Sequence, residues 1–315
     1  MTATQPAPKS RAALMSVASN STLIVIKVIA GSLTGSVAIL TEAVHSSVDL
    51  IASIVALVSV RKADEPADEG HRYGHEKVEN LAAAIEGVLI LVGSAVIAFS
   101  AIRRLLGHGH THTLGLGIAV VAMSMVVNLA VSVVLARRAR ALGSPALEGD
   151  SAHLRTDAAS SGAVLLALVL VDTTGAQWLD PAVALAVACA IVVTGVRLLT
   201  RSGQVLVDQA LPQAEVEAIR SAIEQFGDRG VVGYHELRTR RAGSRRYLDV
   251  HVQFRSGTSL EQAHRTAHEL HDVIATALSG ADVLIHLEPE DRVRPGQTLG
   301  TARRSRPEGP RATAG

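Results

Sequence analysis

The chain has 315 residues, 48% of them hydrophobic, and a formal net charge of +1. A mean hydropathy of +0.29 is high for a soluble protein, and nearly all of the apolar excess precedes residue 202. The charge is too small and too dispersed to favour nucleic acid as a partner. The single cysteine, Cys189, excludes an intramolecular disulfide and a cysteine-based zinc knuckle.

Six apolar runs predict transmembrane helices, because each approaches the roughly 20 residues that cross a hydrocarbon core. They are apolar on most sides, which is typical of helices in lipid. We therefore predict a short cytoplasmic tail over residues 1–11 and a six-helix transmembrane domain over residues 12–206. The predicted spans are Ala13–Gly31, Val37–Val60, Val78–Ile102, Thr113–Ala136, Leu147–Val171 and Pro181–Leu199.

The fifth run has a polar first half that contains His153 and Asp157. Its apolar half, Gly162–Val171, is too short to cross a bilayer alone. Either this segment is not a span, or protein shields its polar half, which then lines a hydrated cavity. We favour the second interpretation.

The basic residues between the runs predict the orientation. One side holds only Arg103 and Arg104, so the positive-inside rule places both termini in the cytoplasm, with the chain in the inner or plasma membrane. The other side holds Lys9, Arg11, Arg61, Lys62, Arg72, Lys77, Arg137, Arg138, Arg140, Arg197 and Arg201.

The pattern changes after Arg201 to that of a water-soluble α/β domain, which we place at residues 207–290. The alternation of residues over Arg246–Phe254 predicts a half-buried strand. The predicted order is helix, strand, strand, helix, strand, at Glu215–Phe226, Val231–Arg240, Arg246–Phe254, Leu260–Leu278 and Asp282–Glu288. Residues 291–315, rich in Pro, Arg, Gly and Thr, are predicted to be a disordered tail.

Two His-x-x-x-Asp pairs are the strongest functional signal. His45 and Asp49 lie in the second run, and His153 and Asp157 lie in the fifth. Residues four apart share a helix face, so two such helices together offer two nitrogens and two carboxylates. This ligand set suits tetrahedral Zn²⁺ and also accommodates Cd²⁺, Co²⁺ or Fe²⁺. Ionisable residues within membrane spans are functional by default.

Two further clusters contain metal-ligand residue types. Asp68, His71 and His75 either converge on a second, more exposed ion or belong to a solvated loop that caps the third helix. In the α/β domain, His286 and Glu288 are two apart on a predicted strand and project from one face. His251 lies on the polar face of its own strand.

Three segments together resemble the cation diffusion facilitator family: Gly31 to Asp49, the His71-x-Tyr-Gly-His75-x-Lys77-x-Glu79 loop, and Ile285-His-Leu-Glu-Pro289. The resemblance covers roughly Arg11 to Glu290. It implies a homodimer of six-span protomers, each with a cytoplasmic domain of metallochaperone-like (ferredoxin-like) fold. It also implies export of a divalent metal in exchange for protons, with no enzymatic activity.

The resemblance further implies roles for individual residues. The transport site would be His45, Asp49, His153 and Asp157, and the loop site Asp68, His71 and His75. A binuclear cytoplasmic site would comprise His235, His251, His264, His286 and Glu288. Lys77 and Asp208 would form a charge pair at the dimer interface.

Some positions depart from the family's common bacterial pattern. Many bacterial members have Asp where this chain has His45, whereas zinc-dedicated eukaryotic members have His, which predicts a preference for zinc over cadmium. Glu288 replaces a shorter Asp and Leu287 a polar residue, so we expect weaker binding at the cytoplasmic site. The His108–His112 loop lies on the opposite side from the family's usual His-rich loop, and we expect no metal role for it.

The resulting prediction is a Zn²⁺/H⁺ antiporter of the cell membrane that takes zinc out of the cytoplasm. Histidines with an ordinary pKa near about 6.5 let protons and zinc compete in the physiological range. A metalloprotease is not expected, since no His-Glu-x-x-His helix is present. The alternatives are another divalent metal as main substrate (Cd²⁺, Fe²⁺, Co²⁺, Ni²⁺ or Mn²⁺) or a metal sensor without transport. A transporter of a non-metal substrate would have to use Lys27, Glu86 or Arg155.

Overall fold

The computed structural model describes residues 8–34, 37–106, 115–278, 280–291 and 300–301. The chain divides into two compact units, Met1–Val207 and Asp208–Gly315, which we call the helical unit and the α/β unit. The expected loop at His108–His112 and most of the two tails lie outside the described residues.

Six long helices make up the described helical unit, and all six are long and apolar enough to cross a membrane. This confirms the predicted six-span architecture. The fourth predicted span begins at residues outside the described part, and the other five lie within observed helices that extend beyond at least one of their ends. The helices are α1 (Pro8–Thr34), α2 (Val37–Ala63), α3 (Lys77–Leu105), α4 (Gly115–Leu142), α5 (Pro145–Thr174) and α6 (Leu179–Leu206).

Helix α5 is continuous through its polar half, where Asp150, Ser151 and His153 are buried, and capping residues fix its two ends. Ser144 is the N-cap, and its Oγ accepts a hydrogen bond from the Leu147 backbone N–H while Pro145 occupies the first turn. Gly175 ends the helix in the left-handed region with φ of 72°. The interpretation of this segment as a shielded span therefore agrees with the structure.

Small residues allow the helices of this unit to pack closely. A Cβ on Gly195 of α6 would lie 2.9 Å from the Leu91 Cγ of α3, closer than real Cβ contacts allow. The polar side chains of Ser16, Asn20 and Ser53 hydrogen-bond between α1 and α2. Close packing of small residues and interhelical hydrogen bonds are the forces that associate helices in lipid.

The described part of the α/β unit is a four-stranded sheet with two α-helices and one short 3₁₀ turn, and its core is apolar. The order of the predicted elements is confirmed as α7 (Gln213–Glu224), β1 (Val231–Ala242), β2 (Arg245–Phe254), α8 (Leu260–Ala277) and β3 (Asp282–Pro289), and a two-residue strand β4 (Gly300–Thr301) follows. The sheet order is β3-β2-β1-β4, with β1 and β2 antiparallel and β2 and β3 parallel. β4 pairs with β1 within the segment predicted to be a disordered tail, a contact that the sequence analysis missed.

Strand β2 keeps the predicted alternation on its apolar face. Leu248, Val250, Val252 and Phe254 are buried in the core that α7 and α8 cover. On the other face, Gln253 is also buried, so this face is more enclosed than a simple half-buried strand predicts.

Candidate functional site

The structure brings the two His/Asp pairs of α2 and α5 together inside the helical unit. His153 Nε2 lies 3.4 Å from Asp49 Oδ1 and 3.7 Å from Asp157 Oδ2. His45 Nε2 lies 4.0 Å from Asp49 Oδ1. One ligand atom from each of His45, Asp49 and Asp157 lies within 4.8 Å of the other two. All four predicted transport-site residues therefore belong to one cluster, which we call the bundle site.

Three side chains of the bundle site are largely buried, and the fourth is exposed. The side chains of Asp49, His153 and Asp157 are 5%, 8% and 15% exposed, whereas that of His45 is 55% exposed. His45 is therefore the member of the bundle site that lies at the surface of the helical unit, while Asp49 and His153 lie inside it.

Hydrogen bonds between helices hold the bundle site in place. Asn20 Nδ2 of α1 donates to Ser53 Oγ at 2.8 Å and to the backbone oxygen of Asp49 at 3.4 Å. Ser53 Oγ in turn donates to Asp150 Oδ1 on α5 at 3.0 Å. These contacts tie α1, α2 and α5 together within one turn of the ligands.

Glu86 of α3 is a member of this neighbourhood that the sequence analysis did not place in a site. Its side chain is fully buried, and its Oε2 lies 3.6 Å from His153 Nδ1. The available sequence signal was a carboxylate in the middle of an apolar span. Asp150 was missed as well, although it lies one turn before His153 and is fully buried.

The other ionisable residues of the spans have protein partners. The buried Lys27 Nζ donates to Ser46 Oγ at 2.7 Å and to Glu42 Oε1 at 3.0 Å. Arg155 donates to Ser151 Oγ at 3.2 Å.

The three residues of the predicted loop site also lie close together, in the connection between α2 and α3. Asp68 lies 3.3 Å from His71 Nδ1 through one carboxylate oxygen and 3.3 Å from His75 Nε2 through the other. The backbone N–H of His71 donates to the carboxylate and holds the pKa of Asp68 below its ordinary value. One ligand atom each from Asp68, His71 and His75 lies within 4.8 Å of the other two, and metal binding by this cluster stays a prediction.

A third cluster lies on three adjacent strands of the α/β unit, where the register pairs His235 with His251 and His251 with His286. Glu288 Oε2 lies 2.7 Å from His235 Nε2, and its Oε1 lies 2.9 Å from His251 Nδ1. Burial alone would raise the pKa of Glu288, but these hydrogen bonds outweigh burial and the pKa falls below its ordinary value. His286 Nε2 lies 3.6 Å from the same carboxylate.

A backbone irregularity brings one further carboxylate to this cluster. The pairing of β1 with β2 shifts between His235 and Arg238, and Glu236 has a positive φ of 49°. A bulge redirects side chains that would otherwise alternate between faces. Glu236 Oε2 lies 3.6 Å from His251 Nε2 as a result, a contact that strand periodicity does not predict.

Three further predicted residues make contacts outside these clusters. The ring of His264 on α8 stacks against that of His268, with centroids 4.5 Å apart. Lys77 Nζ donates to the Leu206 backbone oxygen at 3.4 Å, and Asp208 Oδ1 accepts from Arg240 at 3.5 Å. A role of His264 in metal binding and the pairing of Lys77 with Asp208 stay predictions.

Six membrane-spanning helices followed by a small α/β domain define a class of multi-pass membrane cation transporters, and the comparisons with known proteins agree. Residues 13–207 match the family described as the cation efflux transmembrane domain, and residues 211–290 match the cation efflux protein, cytoplasmic domain. The chain belongs to this cation efflux family, the cation diffusion facilitators. It is a family of transporters rather than enzymes.

Curated relatives are similar along most of their length. An uncharacterized transporter of Synechocystis is 36% identical over 84% of this chain and 85% of its own. The cation-efflux pump FieF of Klebsiella pneumoniae is 35% identical over 91% of this chain and 95% of its own. A solved structure of CzrB in its zinc form is 39% identical, covers 28% of this chain and 98% of its own, and has a TM-score of 0.26.

Proposed function

We propose that this protein is a Zn²⁺/H⁺ antiporter that exports zinc from the cytoplasm by alternating access. In this proposal it is a homodimer in the cell (inner or plasma) membrane, with both termini in the cytoplasm. The observation that carries the proposal is the meeting of two His/Asp pairs from α2 and α5 in the interior of the helix bundle.

The spacing of the ligand atoms supports a tetrahedral metal. Bonds of about 2.0–2.1 Å from zinc to nitrogen or oxygen place neighbouring ligand atoms roughly 3.3–3.4 Å apart. Three of the four nitrogen–oxygen separations in the bundle site are 3.4, 3.7 and 4.0 Å. These separations lie within about 0.7 Å of that tetrahedral spacing. Because His153 lies outside the group of ligand atoms that are within 4.8 Å of one another, a single ion bound by all four residues requires α2 and α5 to move closer together.

The charge of the bundle site supports coupling to protons. Asp49 and Asp157 are two carboxylates on facing helices, in the interior of the helical unit. Transferring one uncompensated charge from water into a protein interior costs roughly several kcal/mol. A bound Zn²⁺ neutralises both carboxylates. When the ion leaves, protons on the imidazoles and carboxylates compensate in its place. The ammonium of Lys27 does not supply this charge, since Glu42 and Ser46 bind it.

The other two clusters have the residue types of metal sites but lie outside the helix interior. Asp68, His71 and His75 are in a loop, and His235, His251 and Glu288 are on strands of the α/β unit. We propose that they bind metal to regulate transport, and that His286 and His264 contribute to the second cluster. Membrane orientation follows from the basic loop residues, and dimerisation from the family resemblance.

Two other functions are distinguishable from zinc export. The bundle site has two oxygen ligands, which harder divalent ions such as Fe²⁺ or Mn²⁺ accept, so another metal is the second candidate for the cargo. A metal sensor would bind ions at the loop and strand clusters without moving them. Flux measured separately for Zn²⁺, Cd²⁺, Fe²⁺, Co²⁺ and Mn²⁺ separates these functions.

The test is metal uptake into proteoliposomes under an imposed pH gradient. We expect zinc uptake by the parent chain to rise when the compartment that receives the metal is acidic. Asp157→Ala should abolish this flux while the protein still inserts and dimerises. The matched control is Asp172→Ala, an exposed carboxylate near the end of the same helix.

Each outcome identifies one function. Unimpaired zinc flux in Asp157→Ala would remove this residue from the transport site. Flux of another metal in the absence of zinc flux would identify that metal as the cargo. Tight zinc binding without flux of any metal would identify a sensor.

A further inference from the structure

Glu86 is a buried carboxylate that the four-ligand site does not use. It lies on α3, its side chain is fully buried, and neither carboxylate oxygen has a hydrogen-bond partner among the described residues. Such a group costs free energy unless a partner compensates it. Its position therefore calls for a partner, and the nearest candidate is His153.

The two ring nitrogens of His153 face opposite groups. Nδ1 lies 3.6 Å from Glu86 Oε2, and it too has no hydrogen-bond partner in the described part of the chain. Nε2 lies toward Asp49 and Asp157, at 3.4 and 3.7 Å. Glu86 thus contacts the imidazole on the side away from the other metal ligands, so it is not itself a fifth ligand to the same ion.

Helix α5 has a glycine, Gly149, at the position where it packs against Glu86 of α3. Gly149 is four residues before His153 and so lies on the same face of α5. A Cβ at this position would lie 3.1 Å from Glu86 Cγ and 3.2 Å from Glu86 Cβ, tighter than most real contacts. The absence of a side chain at Gly149 gives the stem of Glu86 the room to reach the imidazole.

We propose that Glu86 is a positioning residue of the transport site, which accepts a hydrogen bond from Nδ1 of His153 and keeps the Nε2 lone pair directed at the metal. Metal-bound histidines commonly donate their second ring nitrogen to a carboxylate, which fixes both the tautomer and the ring orientation. The contact closes by a few tenths of an ångström when the ion draws the ligands together. This inference rests on the proposed transport function and assigns to α3 a part in a site otherwise built from α2 and α5.

The test measures zinc affinity in the full-length protein in detergent, by competition with a chelating dye. The background carries Asp68→Ala and His251→Ala, so that the loop and strand clusters contribute little. Glu86→Met preserves length and removes the acceptor, and we expect about 10- to 100-fold weaker binding at the bundle site. Glu86→Gln retains a carbonyl oxygen as acceptor, so we expect its zinc affinity to stay within about threefold of the parent, a much smaller loss than in Glu86→Met.

A matched control separates positioning from a general effect of a buried carboxylate. Glu79→Met removes a carboxylate that is equally buried on the same helix, where its partners are Lys9 and Ser144 rather than His153. We expect Glu79→Met to bind zinc as the parent does. X-ray absorption at the zinc edge adds a structural reading, since Glu86→Met should show one imidazole in place of two.

Gly149→Ala decides the question if Glu86→Met does not insert. It keeps the carboxylate and favours the helix, but its Cβ would lie 3.1 Å from Glu86 Cγ and 3.2 Å from Ala83 Cα, so it moves Glu86 and α3 away from α5 and zinc binding should weaken. Parent-like affinity of Glu86→Met, or of Gly149→Ala where Glu86→Met does not insert, would overturn the inference. A loss in Glu86→Gln as large as in Glu86→Met would also overturn it, because charge rather than a hydrogen bond would then matter. A parent background that binds no zinc at all would overturn the proposed function together with this inference.

Discussion

Replacing Asp49 by Asn changes the best enclosed oxygen ligand of the bundle site with little change in shape. Asp49 Oδ1 lies 3.4 Å from His153 Nε2 and 4.0 Å from His45 Nε2, so it lies between the two imidazoles. The fold should survive, because Asn20 holds α2 through the backbone oxygen of Asp49 rather than through its side chain. The substitution therefore tests the ligand role itself.

The magnitude follows from the share of one ligand in four. Four-ligand zinc sites contribute roughly 10–16 kcal/mol of apparent binding free energy near neutral pH, so one ligand accounts for about 2.5–4 kcal/mol. At about 1.4 kcal/mol per factor of ten, Asp49→Asn should weaken zinc binding by roughly 10²- to 10³-fold. Zinc flux at low zinc concentrations should fall in parallel.

The assay is zinc affinity by chelator competition, followed by proteoliposome flux, with Asp150→Asn as the matched control. Asp150 is also a buried carboxylate of the bundle, but its Oδ1 accepts from Ser53 Oγ, a bond that an Asn side-chain oxygen retains. We expect Asp150→Asn to stay much closer to the parent than Asp49→Asn. Equal losses in the two variants would refute the argument, since they would reflect the general cost of changing a buried carboxylate.

Three further predictions concern selectivity, regulation and stability. His45→Asp exchanges a nitrogen ligand for a charged oxygen and should raise the ratio of cadmium to zinc flux; an unchanged ratio would mean that selectivity is set elsewhere. The double variant His251→Ala, His286→Ala should keep metal binding at the bundle site, but its flux should rise less steeply with zinc concentration. Metal binding equal to that of the parent would contradict this regulatory role. The hydrogen-bonded pair of Arg246 with Glu215 holds the pKa of Glu215 below its ordinary value, so its stabilisation is present above pH of about 4.3 and is lost as pH falls through the folded-state pKa. Glu215→Gln should therefore speed hydrogen exchange in α7 at neutral pH, with a difference from the parent that shrinks in acid.

The bundle site was predictable from sequence because each half of it is local. Residues four apart on a helix share a face whatever the tertiary structure, and polar pairs in apolar runs must face one another or a cavity. His45 with Asp49 and His153 with Asp157 satisfy both conditions. The spans were predictable for a related reason, since lipid requires a continuous apolar run of known length.

The parts that sequence reasoning missed depend on packing between elements distant in the chain. Glu86 reaches His153 only because α3 passes α5 at Gly149, and no periodicity within α3 reports this crossing. Glu236 reaches His251 through a bulge, which breaks the alternation on which strand prediction relies. Helix ends were shifted for a third reason: capping by Ser144 and Gly175, rather than hydropathy, sets the limits of α5.

In the described part of the helical unit, the buried carboxylates outnumber the cations beside them, and this imbalance explains why the bundle site is suited to exchanging a metal ion for protons. The ion pair of Lys27 with Glu42 needs no external ion, whereas the Ser53 hydroxyl donates a hydrogen bond to Asp150 without neutralising its charge. Around the bundle site, the carboxylates of Asp49, Asp157 and Glu86 face, among the residues that the structure describes, the imidazoles of His45 and His153 as the only potential cations. A cluster of this composition is stable when it holds a divalent ion or several protons, and its free energy rises when it holds neither. Exchange of one for the other avoids the uncompensated state, and we expect leak of either ion alone to be slow for the same reason.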